Sequence, residues 1–423
     1  MRFFLLLWVT QMVSGLGSAM TGYALVIWSY TQKGSALMTA MLMVCTYAPY
    51  VLFSIFAGAL SDRWDKKKIL LVCDALAALC TLIVLILLKA GQLRIWHLYL
   101  VNAVSGLMNT IQQPASEVAV TAILPRQHYQ KVGSLRYLSS SVNSILTPIL
   151  ATAVLGLAGM DAVILVDLTS FAIAFTVLLF FIPIPNSQPE QPKGESLLQS
   201  AGAGIHWLQK NPGIFHLMLF LAAINLVASM YQAAFPAMVL SKPNGGEVAM
   251  GAVNAAIGIT TLIGSILASL MKPPKSRVRA IWLCLMLSMS TENLFLALGQ
   301  SVPVWCIGAF LGWIAIPLMS TNLEAIFRLT IPEEIQGRVF AARNTFQFFT
   351  LPVGYFLGGL LVDWLFEPFM ASQRTDSVFA SLFGTGKGSS AAFFFCALWV
   401  MGIGVCLLFR GDNMIWKVEA DIK

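Results

Sequence analysis

Twelve long apolar runs follow one another along this chain, at residues 3–30, 36–61, 69–88, 95–124, 132–158, 162–183, 213–240, 249–271, 280–299, 303–331, 339–366 and 391–410. About 20 apolar residues suffice for a helix to cross the hydrocarbon of a bilayer, so each run is long enough. Inside lipid a single segment can satisfy its backbone polar groups only by forming a helix. The runs therefore predict an all-α integral membrane protein with twelve transmembrane helices. Composition agrees: only 11% of the 423 residues are charged and mean hydropathy is +0.78, whereas soluble domains carry about 25% charged residues.

The breaks between runs fix the expected topology. One alternating set holds Arg63, Lys66, Lys67, Lys68, Arg126, Lys131, Lys193, Lys210, Lys272, Lys275, Arg277, Arg279 and Arg338. The other holds only Lys33, Lys89, Arg94, Lys242, Arg374 and Lys387. Cytoplasmic loops collect the positive charge, so the first set is expected in the cytoplasm together with both termini, in a multi-pass cell-membrane protein. The net charge of +7 is loop charge and not a nucleic-acid surface. The apolar start, running on to about Tyr30, is too long for a signal peptide and is expected to remain as the first helix. Seven cysteines without a paired motif, and no histidine at ligand spacing, argue against disulfides and a metal centre. No cofactor is expected. Gly384-Thr-Gly-Lys387-Gly glances at a phosphate loop, but Ser381 stands where the first glycine belongs and no strand precedes it.

The middle of the chain reads as a joint between halves. Residues 1–183 form a predicted N-terminal six-helix bundle, 184–212 a cytoplasmic linker, and 213–423 a C-terminal bundle with a long outer loop at 367–390. Within the linker, Leu198, Ala201, Ile205 and Leu208 suit a short amphipathic helix on the inner leaflet or a plain solvated one. Pro125 and Pro332, Glu117 and Glu324, Val132 and Val339, and Arg136 and Arg343 all share one offset, the 207 positions between 125 and 332. That regularity argues for duplication into two pseudo-symmetric bundles.

The densest knot of charge lies between the second and third runs, Gly58-Ala-Leu60-Ser-Asp62-Arg63-Trp-Asp65-Lys66-Lys67-Lys68. A charge at mid-bilayer costs about 2.5–3.5 kcal/mol on insertion scales, so the knot belongs at a membrane surface. Asp62 there sits within reach of the positive N-terminus of a facing helix and would act as a latch. The lysines serve as topology signals and anchors to the inner leaflet.

Read with its topology, the knot resembles the signature loop of the major facilitator superfamily, Gly-x-Leu-x-Asp-Arg-x-Gly-Arg/Lys-Arg/Lys. Gly58, Leu60, Asp62, Arg63, Lys66 and Lys67 fit it, and Asp65 replaces the usual glycine. Together with Gly34-Ser35-Ala36, Pro114-Ala115 and Ile331-Pro332-Glu333-Glu334-x-x-Gly337-Arg338-Val339, the chain is similar to the macrolide-efflux branch of drug/proton antiporters. The resemblance implies the major facilitator fold, export of amphipathic drug-like molecules driven by the proton gradient, and a latch from Asp62 toward the eleventh helix, where Arg338 and Arg343 lie. Two antiporter features differ: the fourth span has Asn102 and Ser105 where an arginine is usual, and the fifth has Asn143 and Thr147-Pro148 in place of Gly and Gly-Pro.

Acids inside spans default to functional roles because they are costly there. Glu117 and Glu324 are the proton-coupling candidates, with Arg328, four residues after Glu324, offering an ion pair instead. Asp167 and Asp363 read as helix-end or packing residues. Polar or small stripes recur on four spans: Gln11, Gly15, Ser18 and Gly22 on the first; Gly106, Asn109, Gln113 and Glu117 on the fourth; Asn225, Ser229, Gln232 and Pro236 on the seventh; Trp313, Pro317, Ser320 and Glu324 on the tenth. Such stripes either glue helices together or line a cavity for a bulky amphipathic ligand. The expected partners are membrane lipid and a small amphipathic substrate, with the protein a monomer. Import, export of a lipid or metabolite, and a non-transporting membrane receptor or scaffold are the alternatives. No catalytic constellation points to an enzyme.

Overall fold

The computed structural model describes residues 2–123, 129–184, 206–332, 336–374 and 376–418. Among them there are helices and turns and no strand. Twelve helices cross the expected spans. They are α1 (Arg2–Lys33), α2 (Ala36–Arg63), α3 (Lys66–Lys89) and α4 (Ile95–Ile123), then α5 and α6 within Tyr129–Phe180, α7 (Pro212–Ser241), α8 (Glu247–Leu270), α9 (Arg277–Leu298), α10 (Val302–Thr330), α11 (from Gln336 to Ala371) and α12 (Lys387–Arg410). Ten helical segments are apolar and long enough to cross a membrane. One of these, Ser139–Phe180, is two helices, because Gly159 at φ 79° breaks it into α5 and α6. A residue with a Cβ avoids that dihedral, so glycine sets the division. The polar fourth helix, α4, falls outside those ten and makes up the twelfth span.

By internal contacts the chain divides into two units. The first takes residues 1–31 and 42–197, the second 32–41 and 198–423. In the first, α3 packs on α4 and on the end of α6, where Leu70 meets Leu178 and Ile182. In the second, α7 packs on α11 and α12, α9 on α10 and α12, and α8 on α10. Residues 32–41, the turn into α2, belong to the second unit because Asp363 holds them there. Ser35 Oγ donates to Asp363 Oδ2 at 2.6 Å, and the amides of Ala36 and Leu37 donate to its two oxygens at 2.9 and 3.0 Å. The first amides of a helix lack intrahelical partners, and this carboxylate satisfies two of them.

Three boundaries differ from the sequence expectation for physical reasons. α3 starts at Lys66, ahead of the apolar run, because Asp65 accepts from the Lys68 amide and caps it. Its first two lysines then meet backbone carbonyls. Lys66 is buried and donates to the Trp64 carbonyl, while Lys67 Nζ donates to the Leu179 and Ile182 carbonyls at 2.9 Å each, closing the C-terminal end of α6. Lys67 thus caps the end of α6. α10 is interrupted between Trp313 and Ile316, since Pro317 has no amide to donate back along the helix. The expected outer loop at 367–390 is largely helical: α11 runs through a π turn at Val362–Phe366 to Ala371, a short helix covers Val378–Phe383, and α12 begins at Lys387. Phe366, Phe369, Phe379, Phe383 and Phe393 pack their rings together there, giving this segment its own apolar core. The linker's predicted amphipathic helix lies mostly outside the described residues. His206–Lys210 is helical and Leu208 is buried.

Candidate functional site

A cavity of about 450 Å³ opens inside the first unit, a size typical of small-molecule sites. It lies at the end where α1 begins and α4 finishes. α4 supplies Asn109, Gln112, Gln113 and Ser116, spaced three and four residues apart and so on one face. Gln11 comes from α1, and Ser139 and Asn143 from α5; Phe4, Leu7, Trp8, Met12, Leu70 and Ala119 complete an apolar wall. Among the described residues, Ser139 Oγ and Asn143 Oδ1 are buried with no hydrogen-bond partner.

One shell behind this wall stands Asp74 of α3. Gln112 Nε2 donates to its Oδ1 at 2.6 Å and Gln11 Nε2 to its Oδ2 at 3.4 Å. The carboxylate thereby fixes two of the cavity's amides and leaves their carbonyl oxygens turned to other partners.

The predicted stripes divide between cavity and glue. Gln11, Asn109 and Gln113 line the cavity. Gly106 instead lies against the Thr46 carbonyl of α2. Ser18 Oγ donates to Asp167 Oδ1 at 2.8 Å and ties α1 to α6. Asn225 Nδ2 donates to the Gln347 carbonyl at 3.0 Å, and Ser229, buried, faces Gly354 of α11; both hold α7 in place. Gln232 and Ser320 are exposed. Trp313 donates its indole N–H to Glu292 Oε1 at 2.8 Å.

Of the two acids expected to couple protons, Glu324 is engaged in ion pairs. Arg328 Nε lies 2.9 Å from its Oε1 and Arg343 Nη1 3.5 Å from its Oε2, with the Arg343 guanidinium also 4.9 Å above the Phe327 ring. Its side chain is 42% exposed, so this cluster is a charge network and not an isolated buried acid. The side chains of Glu117, Arg136, Asp62, Arg63 and Arg338, and position Gly58, lie outside the described residues. The inferred Asp62 latch falls there too.

Twelve helices in two units, with small-residue packing and a half-polar cavity, have the make-up of a solute carrier. Residues 7–354 match the Major Facilitator Superfamily. The chain belongs to this superfamily. The facilitator is 25% identical over 364 residues to macrolide efflux protein A of Streptococcus pyogenes, covering 85% of this chain and 89% of that one. It is 23% identical over 296 residues to the enterobactin exporter EntS of Citrobacter koseri, covering 67% of this chain and 66% of that one. In fold it is similar to a bacterial homologue of the iron transporter ferroportin, with a TM-score of 0.68, 15% identity, and 96% and 98% of the two chains covered.

Two acids of this facilitator were invisible to the repeat pattern: Asp74, and Glu292 on α9. The shared offset carries Asp74 onto Ile281 and Glu292 onto Leu85, so neither shows a partner. The signal that does find them is plainer, an acid inside an apolar run.

Proposed function

We propose that this facilitator exports amphipathic, drug-like small molecules of the macrolide type, by proton antiport with alternating access, across the cell membrane with both termini in the cytoplasm. The observation that carries this reading is the cavity wall. Phe4, Leu7, Trp8, Met12 and Leu70 offer apolar surface, while Gln11, Asn109, Gln113 and Asn143 offer scattered neutral hydrogen-bonding groups, with no charged residue among the described residues of its lining. A sugar or an inorganic ion demands denser polar contacts than these; a large molecule with one greasy face and a few hydroxyls does not. The relatives named for macrolide and enterobactin export support the direction. The protein works as a monomer, without a cofactor and as a transporter instead of an enzyme.

Expression in a bacterial host stripped of its own pumps tests the reading. Erythromycin-type macrolides, other amphipathic antibiotics, dyes and a catecholate siderophore are followed for cellular accumulation. Lower macrolide accumulation, restored by a protonophore, is expected. Export of the siderophore alone moves the substrate class to secreted metabolites, and unchanged accumulation across the panel overturns export.

A further inference from the structure

Among the described residues, Glu292 is the buried acid of the second unit. It lies fifteen residues into α9 and is 5% exposed. No lysine, arginine or histidine among the described residues pairs with it. Its surroundings are built for a carboxyl group. The Trp313 indole donates to Oε1 at 2.8 Å. Gly312 gives it room, since a Cβ there would come 2.6 Å from the Glu292 Cβ and 3.0 Å from its Oε2. The Tyr231 hydroxyl of α7 lies beside the same carboxyl, and among the described residues it has no other partner. Next in sequence, Asn293 is 2% exposed with an unpartnered Oδ1.

A buried ionised carboxylate without a cation carries a large desolvation cost, while the neutral acid does not. The neighbours accommodate both forms. An ionised Glu292 accepts from the Trp313 N–H, and from Tyr231 once its hydroxyl turns inward. A protonated Glu292 donates its own O–H, and the Tyr231 oxygen is available to accept it. The remaining charges on the elements packed against α9 are occupied elsewhere. Arg277 reaches Asn322, Arg410 stacks 5.4 Å over Trp282, Glu324 pairs with Arg328 and Arg343, and Lys242, just beyond the end of α7, donates to Gln300 and the Phe383 carbonyl. Besides Tyr231, the titratable groups on α9 and the helices packed against it include the thiols of Cys284 on α9, Cys306 on α10 and Cys396 and Cys406 on α12, and the Lys387 side chain at the start of α12 lies outside the described residues.

Position adds the link to movement. Trp313 is the last residue of the first segment of α10, immediately before the break at 314–315. Gly264 of α8 packs on the Ile314 carbonyl at that break. A hydrogen bond to an ionised acceptor is roughly twice as strong as a neutral one, so a proton on Glu292 loosens the bond that holds the end of this segment.

We propose that Glu292, held by Trp313 beside Tyr231 at the break in α10, is the group that takes up and releases the transported proton. This rests on the antiport reading above. In each cycle one carboxylate oxygen gains a proton to give the neutral acid and later returns it to water, with no other bond made or broken.

Two measurements on the purified full chain test the proposal. Infrared difference spectra between acidic and alkaline buffer, recorded in nanodiscs, should show the carbonyl band of a protonated acid. That band is lost in Glu292→Gln and displaced in Trp313→Phe; its survival unchanged in Glu292→Gln overturns the proton site. In proteoliposomes, Glu292→Gln should abolish accumulation of a fluorescent macrolide driven by a pH gradient while retaining exchange of labelled for unlabelled macrolide at zero gradient. Gradient-driven accumulation equal to wild type overturns the coupling role. Should Glu292→Gln fail to fold, Trp313→Phe carries the test, with a displaced band and a displaced pH dependence of transport expected and neither overturning the proposal. A wild-type protein that shows the Glu292 band yet moves no solute contradicts the antiport reading and the coupling role while the proton site stands.

Discussion

Asp363 in the π turn of α11 accepts from Ser35 Oγ at 2.6 Å, and through it the second unit takes hold of the first turn of α2. Gly359, one turn earlier on α11, lets the backbone of Leu37 approach closely. Replacing Asp363 with Ala strands a hydroxyl and two helix-terminal amides. The expected cost is about 1–3 kcal/mol. It is read as a lower melting midpoint in detergent, with Asp363→Asn intermediate because it keeps one acceptor. An unchanged midpoint in Asp363→Ala would show that water replaces the carboxylate without loss.

Asp74 acts on the cavity through Gln11 and Gln112. Asp74→Leu leaves both amide donors without their acceptor and lets them swing into the space a substrate occupies. Freeing a buried donor costs about 1–3 kcal/mol, so substrate binding should weaken roughly tenfold at 1.4 kcal/mol per decade. A binding titration with a fluorescent macrolide reads it, and equal affinity in the variant means that the two glutamines are not set by Asp74.

Close helix packing predicts a contrast between glycines. Gly106 lies on the Thr46 carbonyl, a backbone atom that cannot move aside, so Gly106→Val should sharply reduce the yield of folded protein. Gly22 has open space around its Cβ position, and Gly22→Ala should be neutral or stabilise α1 by up to about 1 kcal/mol. Size-exclusion profiles of the two variants check this.

Much of this architecture is legible in the sequence, because hydrocarbon thickness dictates the length of every run and the loop charges sort the breaks. What escapes is whatever depends on which neighbour a side chain meets. Lys67 looks like one more topology signal until the end of α6 appears beside it. Ser18 and Ser229 belong to polar stripes like that of Asn109, yet they bond to Asp167 and to the backbone of α7, and only the rotation of each helix decides between cavity and glue. The duplication drew attention to Glu324 and Arg343, which do lie together. It is silent on Asp74 and Glu292, each of which stands in one half of the repeat only.

Outside the membrane spans, two groups make stability depend on pH. Burial lowers Lys242 from 10.5 to about 8. Between those values the unfolded chain holds a proton that the folded one has released, so this lysine makes stability rise with pH across that window. Asp412 behaves in the usual carboxylate sense. Burial raises it, but the hydrogen bond from His216, at 2.6 Å, and those from backbone amides outweigh burial and leave it below 3.8. Its contribution is present above 3.8 and is lost as pH falls through the lower folded value. Melting midpoints against pH for wild type, Lys242→Met and Asp412→Asn should show each slope removed in its own variant; parallel curves would contradict both assignments.

In the proposed cycle a proton gradient drives an amphipathic molecule through this facilitator. Purified wild-type protein in proteoliposomes, given an imposed pH gradient and a fluorescent macrolide, tests it most directly, with internal pH and internal macrolide recorded together. Macrolide is expected to accumulate on the acidic side with a matching loss of the gradient, and both should collapse on adding a protonophore. Macrolide entry at the same rate and to the same level with and without the gradient would contradict it.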